Sequence, residues 1–248
     1  MRLLIITHKV DVNDPVLGFF HRWIEEFAKH FDKVTIICLE RGEHHLPPEV
    51  KVLSLGKENG RSRFKYILKF LYYIWREKKN YDVVFVHMNQ EYVLLAADLW
   101  KFWGKKIYFW RNHAQGNLLT ILAVWLSHIV FYTSPNSFTA RFKISVRMPV
   151  GIDTELFKLD PNVSRIPNSV LFLGRISPVK KILEFIDWVN STEYNATLAG
   201  PVLDEDAAYW EKVKTKLSDK IKFIGPVTQR EALRLYQTHE IYVNKTPA

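Results

Sequence analysis

Hydrophobic and polar positions along the chain follow two alternating periods. Residues 2–7 (RLLIIT), 34–39, 50–55, 82–88, 106–110 and 129–133 are short apolar runs without polar alternation, the pattern of strands buried on both faces. Between them apolar residues recur at helical spacing; Phe20, Trp23, Ile24, Phe27 and Phe31 share one helix face. Further helices are expected over 63–79, 92–103, 118–126 and 135–142, with a last strand of this half at 144–150. The stretch KLDPNVSRIPN has two prolines, two asparagines and no apolar period. The alternation then restarts, with strands expected at 170–174, 196–199, 221–224 and 241–244 and helices at 180–190, 205–217 and 229–237. The expected fold class is α/β: two parallel-sheet domains flanked by helices, residues 1–158 and 169–248, joined by a linker over 159–168.

The 248 residues suit two domains, and 48% hydrophobic content supplies both cores. The single cysteine, Cys38, lies in an apolar run, so a disulfide framework is excluded and a reducing compartment is the simple expectation. The first residues lead straight into a strand, and no targeting segment is read there. The longest apolar stretch, 118–130, is shorter than the roughly 20 residues of a membrane span. A cytoplasmic location follows from these readings.

Charge changes the picture in one place. The net charge is +9, and residues 1–160 hold 23 Lys and Arg against 16 Asp and Glu. A basic face of this kind meets nucleic acid, an anionic membrane or an anionic substrate. Residues 61–82 concentrate it, with seven basic residues and two acidic ones. On the helix at 63–79, Phe64, Ile67, Leu68, Leu71 and Trp75 read as the core stripe. Tyr66, Phe70 and Tyr73 form a second aromatic line among Lys65, Lys69 and Arg76. An apolar helix with basic flanks suits the surface of an anionic membrane; the other reading is a helix buried between two neighbours with its lysines snorkelling. Nucleic acid is not expected as a partner, because no stacking platform or binding motif accompanies the charge.

The candidate chemistry sits at strand ends. In SVLFLGRISPVKK a buried strand ends at Gly174, and Arg175 and Lys180 flank the turn into the next helix. Open parallel sheets bind ligands at that edge, and a helix start favours an anion. Two cations added there suit a diphosphate. Gly18, at the start of the first helix, would let a ligand approach the backbone. His87 and His113 fall at strand carboxyl ends, the latter beside Arg111 and Asn112. His44 and His45 lack further ligands at metal spacing, and no metal site is expected. No GxGxxG is present, so nothing points to a dinucleotide.

Taken in order, four segments resemble one family. MPVGIDTELF, FLGRISPVKK, LAGP and KFIGPVTQREALRLYQTHEIYVN are similar to the succession found in GT-B glycosyltransferases of the retaining, family 4 type, with Val150 where asparagine is usual. The resemblance covers almost the whole chain. It implies two Rossmann-like domains and transfer of a sugar from a nucleotide-diphosphate donor, UDP- or GDP-linked, to an acceptor with retention of configuration. It implies no cofactor and no obligatory metal. Gly18, Arg175 and Lys180 would bind the donor phosphates, Gly225 and Val227 would face the base, and His113 would be the catalytic residue beside the transferred sugar. His87, Arg111 and Asn112 would line the acceptor side. The acceptor would be a sugar, a polysaccharide precursor or a lipid-linked species, met peripherally at the inner membrane face. The family continues with a Glu-x7-Glu segment that this sequence lacks, so the second domain is expected to be incomplete, C-terminally truncated, with strand 241–244 as an open edge inviting self-association. The alternative is a non-catalytic nucleotide- or phosphate-binding module, or a membrane-surface module. Epimerisation of a nucleotide sugar is also allowed by such a fold.

Overall fold

A computed structural model describes residues 1–60 and 62–244. Arg61, counted in the basic stretch, and residues 245–248, the end of the second domain, lie outside the described residues. The chain forms two compact units, the first of Met1–Val12 and Leu17–Gly151, the second of Asn13–Val16 and the residues from Ile152 on.

In the first unit the strands are β1 (Arg2–Val10), β2 (Lys33–Arg41), β3 (Val50–Ser54), β4 (Val83–His87), β5 (Lys106–Trp110), β6 (Ile129–Tyr132) and β7 (Ser145–Arg147). They form one sheet in the order β3-β2-β1-β4-β5-β6-β7, with every pairing parallel. The sequence order reverses between β1 and β4, which makes the sheet doubly wound. The pleat divides each strand between two cores. Leu3 and Ile5 join one with α1 (Gly18–His30), whereas Leu4 and Ile6 join the other with α2 (Arg63–Arg76), α3 (Gln90–Phe102) and α4 (Leu118–Leu126). Asn117 and Thr120 cap α4 reciprocally, satisfying backbone donors at its start.

The second unit has strands β8 (Ile166–Leu173), β9 (Asn195–Ala199), β10 (Ile221–Gly225) and β11 (His239–Tyr242), with helices α5 (Ile182–Asn190), α6 (Ala207–Lys214) and α7 (Gln229–Thr238). Its sheet is parallel in the order β10-β9-β8-β11. Both units are therefore parallel-sheet domains flanked by helices, as the alternation implied, and Rossmann-like, as the resemblance implied.

Four local expectations are corrected. Strand β8 begins at Ile166, inside the expected linker. Pro167 is tolerated because pairing with β9 starts only at Ser169 and the turn is held by Asn168, whose N–H donates to Glu240 Oε2 at 2.8 Å. The expected helix at 180–190 is two pieces, a 3₁₀ turn over Pro178–Lys180 and then α5. Lys181 lies between them at φ 54°, in the left-handed region, and breaks the helical run. The segment 135–142 winds only as a 3₁₀ turn over Phe138–Arg141.

The fourth correction reverses the face of α2. Its buried residues are Phe70 and Ile74, with Tyr66 and Tyr73 packed beside them. Phe64, Leu68 and Trp75 of the expected core stripe are exposed. Phe70 packs 4.9 Å from Tyr92 and 6.2 Å, edge-on, from Trp100 of α3. The hydroxyl of Tyr81 donates to the Ile74 carbonyl at 3.0 Å. Glu77, just past the helix, is buried on this side because Lys51 of β3 (2.7 Å), Arg76 (3.0 Å) and Asn80 (2.9 Å) all donate to it. Phe70→Ala should then cost about 3–5 kcal/mol in urea denaturation, and Phe64→Ala within about 0.5 kcal/mol of zero; equal losses would contradict this orientation.

Candidate functional site

The second unit gathers its chemistry at the carboxyl edge of its sheet. Three adjacent strands run out at glycines 174, 200 and 225. The Gly174 N–H donates to the Ala199 carbonyl at 2.9 Å, and the Gly200 N–H to the Gly225 carbonyl at 2.7 Å. Gly200 has φ +142°, and a β-carbon there would run into the Gly174 carbonyl oxygen. Only glycine lets these two chain segments approach so closely. Ile176 N–H then donates to the Pro201 carbonyl at 2.9 Å, which pins the turn that carries Arg175.

Arg175 is half-exposed. Its Nη1 lies 3.2 Å from Glu205 Oε1 and its Nε 3.5 Å from Asp206 Oδ2. Glu205 and Asp206 come from the 3₁₀ turn Asp204–Asp206 that follows β9. Lys180 ends its own 3₁₀ turn, with an ammonium pKa held below the ordinary value first by burial and then by the positive charge of Arg175. Two cations close enough to repel each other suit an anion, which relieves that repulsion. Ser177, between them in sequence, is buried, and its hydroxyl has no hydrogen-bond partner among the described residues. Gly225 has φ +77° and open space around it; Val227 is half-buried, next to the Thr228–Glu231 capping box that starts α7. The sequence reading missed Glu205 and Asp206. The acidic run DED, two residues after LAGP, was the available signal.

The first unit gathers a second group at the carboxyl edge of β4–β6. His113 is exposed. Its Nδ1 lies 3.0 Å from the backbone N–H of Gln115 and 3.1 Å from the Gln115 carbonyl oxygen, so the ring is held against this turn. Arg111 is half-buried; its Nη2 donates to the Gln115 carbonyl at 3.0 Å, and burial lowers its pKa. Asn112 Oδ1 accepts from the Thr133 and Ser134 N–H groups at 3.1 and 2.7 Å, so this side chain fastens the loop after β6. Arg111, Asn112 and His113 thus form one braced loop. Gly18 is the first residue of α1, and a β-carbon there would lie 3.0 Å from the Val12 carbonyl oxygen, so chain packing already favours glycine.

His87 stands apart. It has no exposed surface, and its ring stacks on Phe20 with centroids 4.0 Å apart and planes at 9°. Trp110 lies 4.9 Å away and Thr7 Oγ1 is 3.1 Å from Nδ1. A ring enclosed this way lines no open acceptor surface. Burial pushes its pKa down to about 3.

Comparison with known proteins fits this architecture. The family described as glycosyl transferase 4-like matches residues 12–148, more than half of the chain. The chain belongs to this family. Among solved structures, the glycosyltransferase 4-like chain is similar to Anabaena HepE in complex with UDP and glucose, at 16% identity and a TM-score of 0.73, over 100% of this chain and 75% of that one. It is also similar to the lipopolysaccharide outer core galactosyltransferase WaaB, at 14% identity and a TM-score of 0.60, covering 99% and 74%. The UDP-GlcNAc 2-epimerase of Methanocaldococcus jannaschii is similar at 16% identity and 0.56, covering 98% and 78%. At these identities the likeness shows the fold, which is GT-B. No curated protein sequence matches the chain.

Two outcomes follow for this glycosyltransferase fold. The folded His87 pKa lies below the ordinary 6.5, so its neutral form supports the fold above pH 6.5, and that support is lost as pH falls from there toward about 3. The melting-temperature advantage of the wild type over His87→Asn should narrow steadily from pH 7 to pH 4; a constant gap would contradict a buried neutral imidazole. An anion arriving at Arg175 competes with Glu205. Glu205→Gln should tighten pyrophosphate binding about two- to fivefold, the scale of an exposed ion pair; weaker or unchanged binding in calorimetry would show that the pair does not compete.

Proposed function

We propose that the chain transfers a sugar, with retention of configuration, from a nucleotide-diphosphate donor to an acceptor hydroxyl. The family match supports a glycosyltransferase. The observation that carries the donor reading is the pair Arg175 and Lys180 at the carboxyl edge of the second sheet, where an anion relieves their mutual repulsion. That HepE was solved with UDP and glucose supports a nucleotide sugar as the donor class.

In this reading the diphosphate rests on the turn 174–181. The bond from the anomeric carbon to the diphosphate oxygen breaks, that oxygen gains negative charge, and the acceptor oxygen bonds to the carbon from the same face. The acceptor proton leaves with the diphosphate. Arg175 and Lys180 stabilise the charge that grows on the leaving group. Two fixed cations make a divalent metal unnecessary for this step. Before the donor arrives, Glu205 and Asp206 hold Arg175 in place, and the incoming phosphate exchanges with Glu205. His113 is assigned to a hydroxyl of the transferred sugar, and Arg111 and Asn112 hold its loop. Gly225 and Val227 are assigned to the base, Gly18 to the phosphate side of the first unit. The acceptor is a sugar, a polysaccharide precursor or a lipid-linked sugar.

Calorimetric titration with UDP, GDP and ADP tests the donor site. One nucleotide should bind, and Arg175→Ala/Lys180→Ala should weaken it about a hundredfold or more, as for the loss of two charge-assisted contacts. Binding that survives the double substitution would remove the turn from the donor site. Release of free nucleotide from the matching nucleotide sugar, in the presence of acceptor, separates the transferase from a non-catalytic binding module.

A further inference from the structure

The segment between β2 and β3, residues 42–49, leaves the carboxyl edge of the first sheet and is tied down on two sides. On one side it grips the end of β1 and the residues that follow. The Gly42 N–H donates to the Val10 carbonyl at 2.9 Å, and the Val12 N–H donates to the Glu43 carbonyl at 2.8 Å. A β-carbon at Gly42 would run into the Asp11 side chain, so the contact is close. On the other side the segment is fastened to α1 by the side chain of His21. The His45 N–H donates to His21 Nε2 at 3.1 Å. Leu46, next along, packs on the core shared by α1, β1 and β2.

That hydrogen bond fixes the state of the ring. A backbone N–H only donates, so Nε2 is the acceptor and carries no hydrogen. Nδ1 lies 3.2 Å from Glu25 Oε1, one turn along α1, and the hydrogen of the neutral ring belongs there. His21 is only 6% exposed, so little of the ring reaches solvent. The charged and titratable groups that face it are Glu25 on α1, which Arg22 also holds at 2.8 Å, and His44 and His45 on the segment, the latter 3.0 Å from Glu43. Burial, the largest effect, and the two neighbouring histidines oppose an imidazolium, whereas Glu25 favours one; the balance holds the pKa below the ordinary 6.5. Among the described residues no three His, Cys, Asp or Glu side chains are placed to hold a metal.

We propose that His21 is an acid-released latch: a proton from solvent turns Nε2 from acceptor to donor, breaks its bond with the His45 N–H, and lets residues 43–45 lift from α1 and loosen their hold on Val12. Once Nε2 carries a hydrogen, two N–H groups face each other across 3.1 Å and neither has an acceptor there. The closed segment therefore binds that proton more weakly than the open one, in which water reaches the ring, and acid favours opening. Leu46 and the Gly42–Val10 hydrogen bond confine the opening to residues 43–45, a local event rather than unfolding. Its consequence reaches the start of α1. A β-carbon at Gly18 would lie 3.0 Å from the Val12 carbonyl oxygen, so the backbone that the latch steadies is the one packed on Gly18. His21, Glu25 and His45 have no part in the donor reading, and the latch stands whether or not that reading holds.

Amide hydrogen exchange, read by NMR on the whole chain, tests it. The His45 and Val12 amides should be protected at pH 7. Their protection factors should fall together below pH 6.5, by up to about tenfold per pH unit, the limit for one proton, while the amides of strand β2 keep theirs. In His21→Gln the side-chain carbonyl still accepts from His45 but takes up no proton near neutral pH, so protection should stay constant down to pH 5. Nitrogen shifts of the wild-type His21 ring should report Nδ1–H at pH 7, a readout that needs no variant. Constant protection of His45 from pH 7 to pH 5, a fall that persists in His21→Gln, a fall shared by strand β2, or an Nε2–H ring at pH 7 would each overturn the proposal.

Discussion

A strand in a parallel sheet must be covered on both faces, because its crossover connections lay helices there. Both sheets of this chain are parallel throughout, and their central strands β4 and β8 carry unbroken apolar runs, Val83–Val86 and Val170–Leu173. One consequence is that side chains able to do chemistry are driven off the strands and onto the loops at the carboxyl edge. Arg175, Lys180, Glu205, Arg111 and His113 all stand there. His87, the last residue of β4, does not escape, and the core turns it into a neutral aromatic filler.

The second consequence concerns approach. For the turn after β8 to lie against the end of β9, two backbones must come closer than any side chain allows, and Gly200 supplies the gap. The Gly174–Ala199 and Ile176–Pro201 hydrogen bonds then fix the direction in which Arg175 leaves the sheet. In the proposed donor reading, the turn's fitness for an anion rests on backbone packing first and on the two cations second. Glu205 and Asp206 complete it as resident counter-charges.

The helix layer over the first sheet shows the same demand from the other side. Covering the sheet needed only one face of each helix, and small residues such as Ala96, Ala97 and Ala123 do much of that. The larger side chains Phe102, Leu118 and Trp125 are left outside. A helix apolar on both sides is buried twice in an ordinary protein; here the outer side of the layer is exposed.

The sequence by itself determined the elements and their succession. Uninterrupted apolar runs separated by helical periods pair as parallel strands with helical crossovers, and the order of short motifs points to the family. Arg175 and Lys180 were legible for the same reason, since strand and turn are contiguous in the chain. What only the tertiary structure decided were choices between faces and between distant partners. Two apolar stripes on α2 were equally good cores by period alone, and Tyr92, Trp100 and Lys51, far off in sequence, selected Phe70 and Glu77 for the inside. Likewise nothing local to His87 announces the ring of Phe20 that seals it, and nothing local to Arg175 announces Glu205, because burial and charge pairing are set by which residues the sheet order brings together.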